Sequence, residues 1–347
     1  MNTLDTMTSL PWIDWDAAAR TGRRLVPPGP RASRAERDQL VAELRADARR
    51  SAEVIVDTTQ LPQAGQAREL VVDRAGIVRA NVLTARRMLA AATDPRPDGA
   101  AAKTAGYARG VSIGTVLGML GSRILGQYDP FGEEPTLYLV APSIMAVEQQ
   151  LKVPAADFRM WVVLHEQTHR VQFANATWLP GYLSERARAL AEAEDEAFWH
   201  DLPARLEQIR ADRRENRPAS MRVLNALSSP ATVAAMSEVN AAMSLLEGHA
   251  DVMMDRSGRQ LIGSVSTIRA KFQGRRSPSG LPALLNKLMG MDAKLAQYAE
   301  GAKFCRQVMA IGGVGLLNEA FSEAGAMPSM QELLHPDQWC ERIAGNG

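Results

Sequence analysis

The stretch Pro154-Ala-Ala-Asp-Phe-Arg-Met-Trp-Val-Val-Leu-His165-Glu166-Gln167-Thr168-His169-Arg-Val-Gln172-Phe173 reads as one helix built around a pair of histidines. Pro154 suits a first helical turn, and Phe158, Trp161, Val162, His165, His169, Gln172 and Phe173 recur at three- and four-residue spacings, the period of a helix face. Histidines at i and i+4 stand one turn apart on the same face, so both imidazoles can reach a single ion. Glu166 is rotated about 100° from His165, beside such an ion and outside the ligand pair, where a carboxylate can take a proton from water. The pattern His-Glu-x-x-His therefore points to a zinc site with a general base.

Zinc needs at least a third protein ligand. The extended pattern with a glycine and a third histidine shortly afterwards is absent, because Gln172 and Asn175 occupy those places. Farther along, Pro230 opens a helical pattern whose inward stripe includes Val233, Met236, Met243, Glu247, Ala250 and Met254. A carboxylate in that apolar company is expected to be buried, and a buried charge demands a partner or a metal. Glu247 is thus the expected third ligand, with Glu185, Glu192, Glu194 and Glu196 as alternatives in a charged helix that otherwise reads as a solvated face. Asp251, one turn beyond Glu247, is placed to accept the free ring N–H of a ligating histidine. Gly248 permits a close backbone approach. His249 lies about 200° around the helix from Glu247 and reads either as a pocket wall or as a packed, hydrogen-bonded histidine. His200 and His335 have no ligand spacing.

The remaining chain is mostly helical in pattern. Ser33 and Glu36 form a capping box for a helix reaching about Val56. Val71, Ala75, Val78, Val82, Ala85 and Leu89 suggest a second helix after Pro62. Gly106, Gly110, Gly114, Gly118 and Gly126 recur every four residues, with Ser122 in the remaining slot, and predict a tightly packed interior helix. Thr136 to Val140, between Pro135 and Pro142, is the one expected strand. Residues 210–220 and 273–280 read as solvated connections. The fold class is mainly α with a small β element near residues 136–140, organised as an N-terminal helical extension (1–105) on a catalytic body (106–347), or as one continuous domain.

Composition narrows the function. Forty Lys and Arg against 39 Asp and Glu leave a formal charge of +1, which argues against a nucleic-acid groove. Two cysteines without a CxxC pattern read as reduced thiols. The first 16 residues lack the basic-then-apolar order of a secretory signal, so a cytoplasmic location is expected. No run of 18 apolar residues offers a membrane span.

Residues 165–173, the segment Glu247-Gly-His-Ala-Asp251, and residues 291–301 resemble a family of zincin-like metallohydrolases, some of whose members are labelled as associated with deazaflavin-coenzyme biosynthesis. The resemblance extends from about Gly106, through Gly126-Gln-Tyr-Asp129, to the C-terminus. It implies a mostly helical zincin fold with one zinc ion per chain, held by His165, His169 and Glu247, and Glu166 as general base. Such a site would hydrolyse an amide bond in a peptide or related substrate. For the oxyanion or a substrate carboxylate, Tyr298 and the basic group Arg269, Lys271, Arg275 and Arg276 are candidates, against ordinary core packing and a solvated face. A zinc-stapled helical scaffold without activity is the alternative, and Glu166 beside an open coordination position is what favours catalysis over it.

Overall fold

The structure, a computed structural model, describes residues 10–89, 93–197, 230–275 and 291–345. Helix α1 (Trp15–Leu25) starts where the Asp14 carboxylate accepts from the Ala17 backbone N–H at 2.8 Å. Helix α2 (Arg34–Thr59) opens with the expected capping box: Ser33 N–H donates to Glu36 Oε2 at 2.7 Å and Glu36 N–H to Ser33 Oγ at 3.2 Å. Strand β1 (Arg68–Val72), α3 (Arg74–Leu89), α4 (Ala100–Gly121), β2 (Gly126–Asp129), β3 (Thr136–Val140) and α5 (Ala141–Leu151) follow. Then come α6 (Ala155–Asn175), α7 (Leu179–Ala197), α8 (Pro230–Leu261), α9 (Val265–Arg275), α10 (Met291–Asn318), α11 (Met330–Leu334) and α12 (Pro336–Gly345). Helix α10 bends at Gly313, whose φ of 75° only glycine adopts freely.

The predominance of helix agrees with the periodicities, but the β content is larger than expected. Strand β3 is central in a three-stranded sheet of order β1-β3-β2, parallel to β1 and antiparallel to β2. Val71 consequently belongs to a strand, paired with Leu139, and not to the helical stripe to which its spacing assigned it. The helix begins only at Arg74, after Asp73 accepts the Gly76 N–H on its side chain at 2.6 Å. The backbone partner for β1 lies more than sixty residues away, so local spacing could not reveal it.

Helix α4 also departs from expectation: it ends at Gly121, and Gly126, which the four-residue spacing counted with it, opens strand β2. Its glycine face packs against α1: a Cβ on Gly114 would stand 2.3 Å from the Ala18 carbonyl oxygen. Away from that contact the helix is open, with Tyr107, Val116 and Met119 about half exposed. Glycine spacing marks one close contact and does not by itself bury the whole helix. No helix among the described residues is long and apolar enough to cross a membrane.

The body that carries the site is a stack of α2, α6, α8 and α10, each packed on the next. Its core includes Leu44, Ile55, Phe158, Leu164, Phe304 and Trp339, all essentially inaccessible. Burying each such side chain contributes about 1.5–3 kcal/mol. Asn175 ties the end of α6 to the approach to β1, accepting from Gln63 N–H at 3.0 Å and donating to Gln63 O at 2.8 Å. Arg159 on α6 joins Glu148 of α5, at 2.7 and 2.9 Å, to Glu43 of α2. Helix α6 is thereby held from both sides, with one face left for chemistry.

Candidate active site

Helix α6 turns Phe158, Leu164 and Val171 into the core and leaves His165 and His169 partly accessible on one face. Their Nε2 atoms stand 3.1 Å apart, and their rings meet edge to face. Glu247, from the middle of α8, brings one carboxylate oxygen to 3.4 Å from His165 Nε2 and the other to 3.8 Å from His169 Nε2. The three donors form a group in which every ligand atom lies within 4.8 Å of the others. Ligands arranged tetrahedrally at about 2.05 Å from a zinc ion are separated by about 3.3 Å, so the spacing and the donor types fit that ion.

Glu247 reaches this place for a reason other than the one expected. Its side chain is 26% exposed, so it is not a buried charge in search of a cation. What places it is the crossing of α8 over α10, where Gly248 and Gly301 let the backbones touch. A Cβ on Gly248 would lie 2.2 Å from the Gly301 carbonyl carbon. Among the alternatives, Glu185 is exposed and paired with Arg186. The side chains of Glu192, Glu194 and Glu196 lie outside the described residues, as does His200.

Glu166 is 5% exposed and is not one of the three converging groups. Its carboxyl rests against the backbone of β2: a Cβ on Gly126 would be 2.4 Å from Glu166 Cγ and 2.7 Å from Oε1. Glycine at the start of β2 is therefore what leaves room for this carboxylate, a requirement that nothing in the local sequence signals. Burial pushes the Glu166 pKa up to about 7, with the His165 imidazole opposing the rise and the Glu247 carboxylate adding to it. At His165 burial works against the charged ring, yet the hydrogen bond and charge of Glu247, backed by Glu166 and Asp251, raise the pKa to about 9. At His169 burial and the neighbouring His165 charge lower it.

Behind the site the structure differs from the expected arrangement. The Asp251 carboxylate binds the Arg269 guanidinium, which Asp255 also engages, instead of the ring N–H of a histidine. The far nitrogen of His169 meets the carboxamide of Gln172, with 2.8 Å between Nδ1 and Oε1. Gln172 also donates from Nε2 to Leu246 O at 2.9 Å and lies 2.9 Å from His249 Nδ1. His249 is completely buried, packed edge-on against Phe321 with its pKa pushed down to about 3 by burial and by His169, so it is a packed histidine and no pocket wall. Gln172 occupied the helical stripe in the sequence, but two of its three partners, Leu246 and His249, come from another helix.

The basic candidates have other work. Arg269 links α9 to α8, and Lys271 donates to the carbonyls of Leu151 and Lys152 at 3.0 Å each, closing the end of α5. Arg276 and the side chains of Arg275 and Tyr298 lie outside the described residues. His335 is exposed near the C-terminus.

The chain is similar to a crystal structure from Chloroflexus aurantiacus described as a putative hydrolase with a novel fold, at 29% identity over 96% of this chain and 100% of the other, with a TM-score of 0.66. No curated protein matches the chain. A family profile described as zincin-like metallopeptidase matches residues 13–340, nearly the full length, and the protein belongs to that family.

Proposed function

We propose that the protein is a zinc-dependent hydrolase of amide bonds, acting on peptide substrates, with His165, His169 and Glu247 as the metal ligands and Glu166 as general base. The observation that carries this reading is the convergence of three ligand atoms from two helices, with a fourth side chain, the carboxyl of Glu166, alongside that takes no part in the ligand group. Three ligands suit catalysis better than structure, since structural zinc sites close with four. When bound, zinc supplies a Lewis acid for the scissile carbonyl and makes water acidic enough to lose a proton near neutral pH.

The chain's own residues account for the rest. Glu166 accepts the proton of the attacking water on its carboxylate and delivers it to the leaving amine nitrogen, so that it ends the cycle unprotonated. Its buried setting keeps bulk water from competing for that proton. Strand β2 is one of the two edge strands of the sheet and lies against Glu166 at Gly126. An edge strand offers backbone groups to which an extended peptide can add, which favours a peptide as the substrate.

Wild type, Glu166→Gln and His165→Ala test the assignment when assayed for bound zinc and for turnover of a mixed peptide library. Glu166→Gln is expected to keep zinc and lose at least about a hundredfold in turnover. His165→Ala is expected to lose both. Wild-type protein without stoichiometric zinc after reconstitution would refute the metal site, and full activity in Glu166→Gln would refute the base.

A further inference from the structure

The His169 ring has two ends with different duties. Nε2 faces His165 and Glu247, while Nδ1 faces the carboxamide of Gln172, a side chain with no solvent exposure. Which way round that carboxamide sits is settled by its third neighbour. Leu246 O is a backbone carbonyl and can only accept a hydrogen bond, so the end of Gln172 that meets it at 2.9 Å must be the NH2 group. The end that meets His169 is then the oxygen, which can only accept. His169 must carry its proton on Nδ1, and the neutral ring keeps a lone pair on Nε2, the form a metal ligand needs. The second hydrogen of the amide is directed to His249 Nδ1 at 2.9 Å, which makes that nitrogen an acceptor.

The anchors on α8 flank the third ligand. Leu246 precedes Glu247 and His249 lies two residues after it, so one carboxamide from α6 grips the turn of α8 that carries the carboxylate. We propose that Gln172 is the positioning residue of the metal site: it presets the His169 tautomer and locks the α6 ligands in register with Glu247. The proposal rests on the metal-site reading above and adds to it a residue that touches no metal. A bifunctional amide suits the task because the two contacts on α8 need donors and the contact on His169 needs an acceptor. A carboxylate such as Asp251 offers acceptors only.

The test reads the tautomer and the metal affinity separately. Long-range 1H–15N spectra of metal-free wild type are expected to show His169 protonated at Nδ1, and a ring protonated at Nε2 overturns the proposal without any variant. Zinc affinity is then measured by chelator competition for wild type, Gln172→Leu and Gln172→Glu. Gln172→Leu is expected to bind zinc ten- to a hundredfold more weakly, as for other partners of metal-bound histidines. Gln172→Glu retains an acceptor for His169 and should fall between the two. Because Gln172→Leu also removes the side-chain hydrogen bonds to Leu246 O and His249, its metal-free Tm should drop. The rise in Tm on adding zinc distinguishes the roles, since it shrinks if Gln172 positions the ligands and stays as in wild type if Gln172 only packs. An unchanged zinc affinity in Gln172→Leu overturns the proposal. Absence of zinc binding by wild type would instead overturn the metal-site reading, with the tautomer still read from the spectra.

Discussion

Helices α4 and α8 both use glycine to admit a neighbouring backbone, and they put the contact to different ends. On α4, Gly114 and Gly118 meet the main chain of α1, and apolar side chains elsewhere on the helix point toward the outside. On α8 a single glycine, Gly248, meets Gly301, and the residues around it are all committed elsewhere. Leu246 lends its carbonyl to Gln172, Glu247 faces the two histidines, and His249 packs on Phe321. Successive helical residues point about 100° apart, so one turn of α8 serves a crossing, a proposed ligand and a tie to α6 at once. Close approach alone is packing; it becomes part of a site when the contact lies next to residues whose position matters to a fraction of an ångström.

That contrast can be broken by adding a single methyl group in each place. The largest functional loss is expected from a third glycine, Gly126→Ala, because the new Cβ falls on the Glu166 side chain. Turnover should fall by about a hundredfold or more while zinc content is kept, as measured by peptide assay alongside metal analysis. Gly248→Ala comes next. Its Cβ meets the backbone of Gly301 and Ala302, which cannot rotate away, so stability should fall by about 1–3 kcal/mol and zinc affinity should weaken as Glu247 shifts. Denaturant melts with chelator competition would show both losses together. Gly114→Ala should cost a similar about 1–3 kcal/mol against Ala18 but leave zinc affinity and turnover at wild-type values below the melting temperature. A parallel loss of zinc affinity there would erase the distinction between the two helices. Smallest is Ser33→Ala, which removes the cap of α2 and should cost about 1 kcal/mol with no change in activity.

The parts of the site that were legible beforehand are those set within one or two helical turns. The spacing of His165 and His169 is a property of α6 alone, as is the offset of Glu166 from them. The capping box at Ser33 is equally local. Glu247 was found by a burial argument that the structure does not support, since the carboxylate is partly exposed; the composition of its helix located it all the same. Asp251 has the spacing of a histidine partner but pairs with Arg269, an oppositely charged group that the sequence offers eighteen residues later with no sign of which carboxylate it will meet. Gln172 was visible on the right face of α6 and invisible as a partner, because its meaning depends on Leu246 and His249 more than seventy residues away.

By itself the sequence determined that this is a mainly helical chain, that one helix presents two imidazoles and a carboxylate in the order of a zinc hydrolase, and where that helix begins. These follow from dihedral preferences and a repeat of 3.6 residues, which act over a few positions. Only the tertiary structure decided that Val71 lies in a strand, that Glu247 closes on the histidines, that Gly126 makes room for Glu166, and that Gln172 takes the far side of His169. Each of these depends on a partner far along the chain, brought there by the burial of apolar faces and the pairing of backbone groups, and neither carries a local signature of the residue it will deliver.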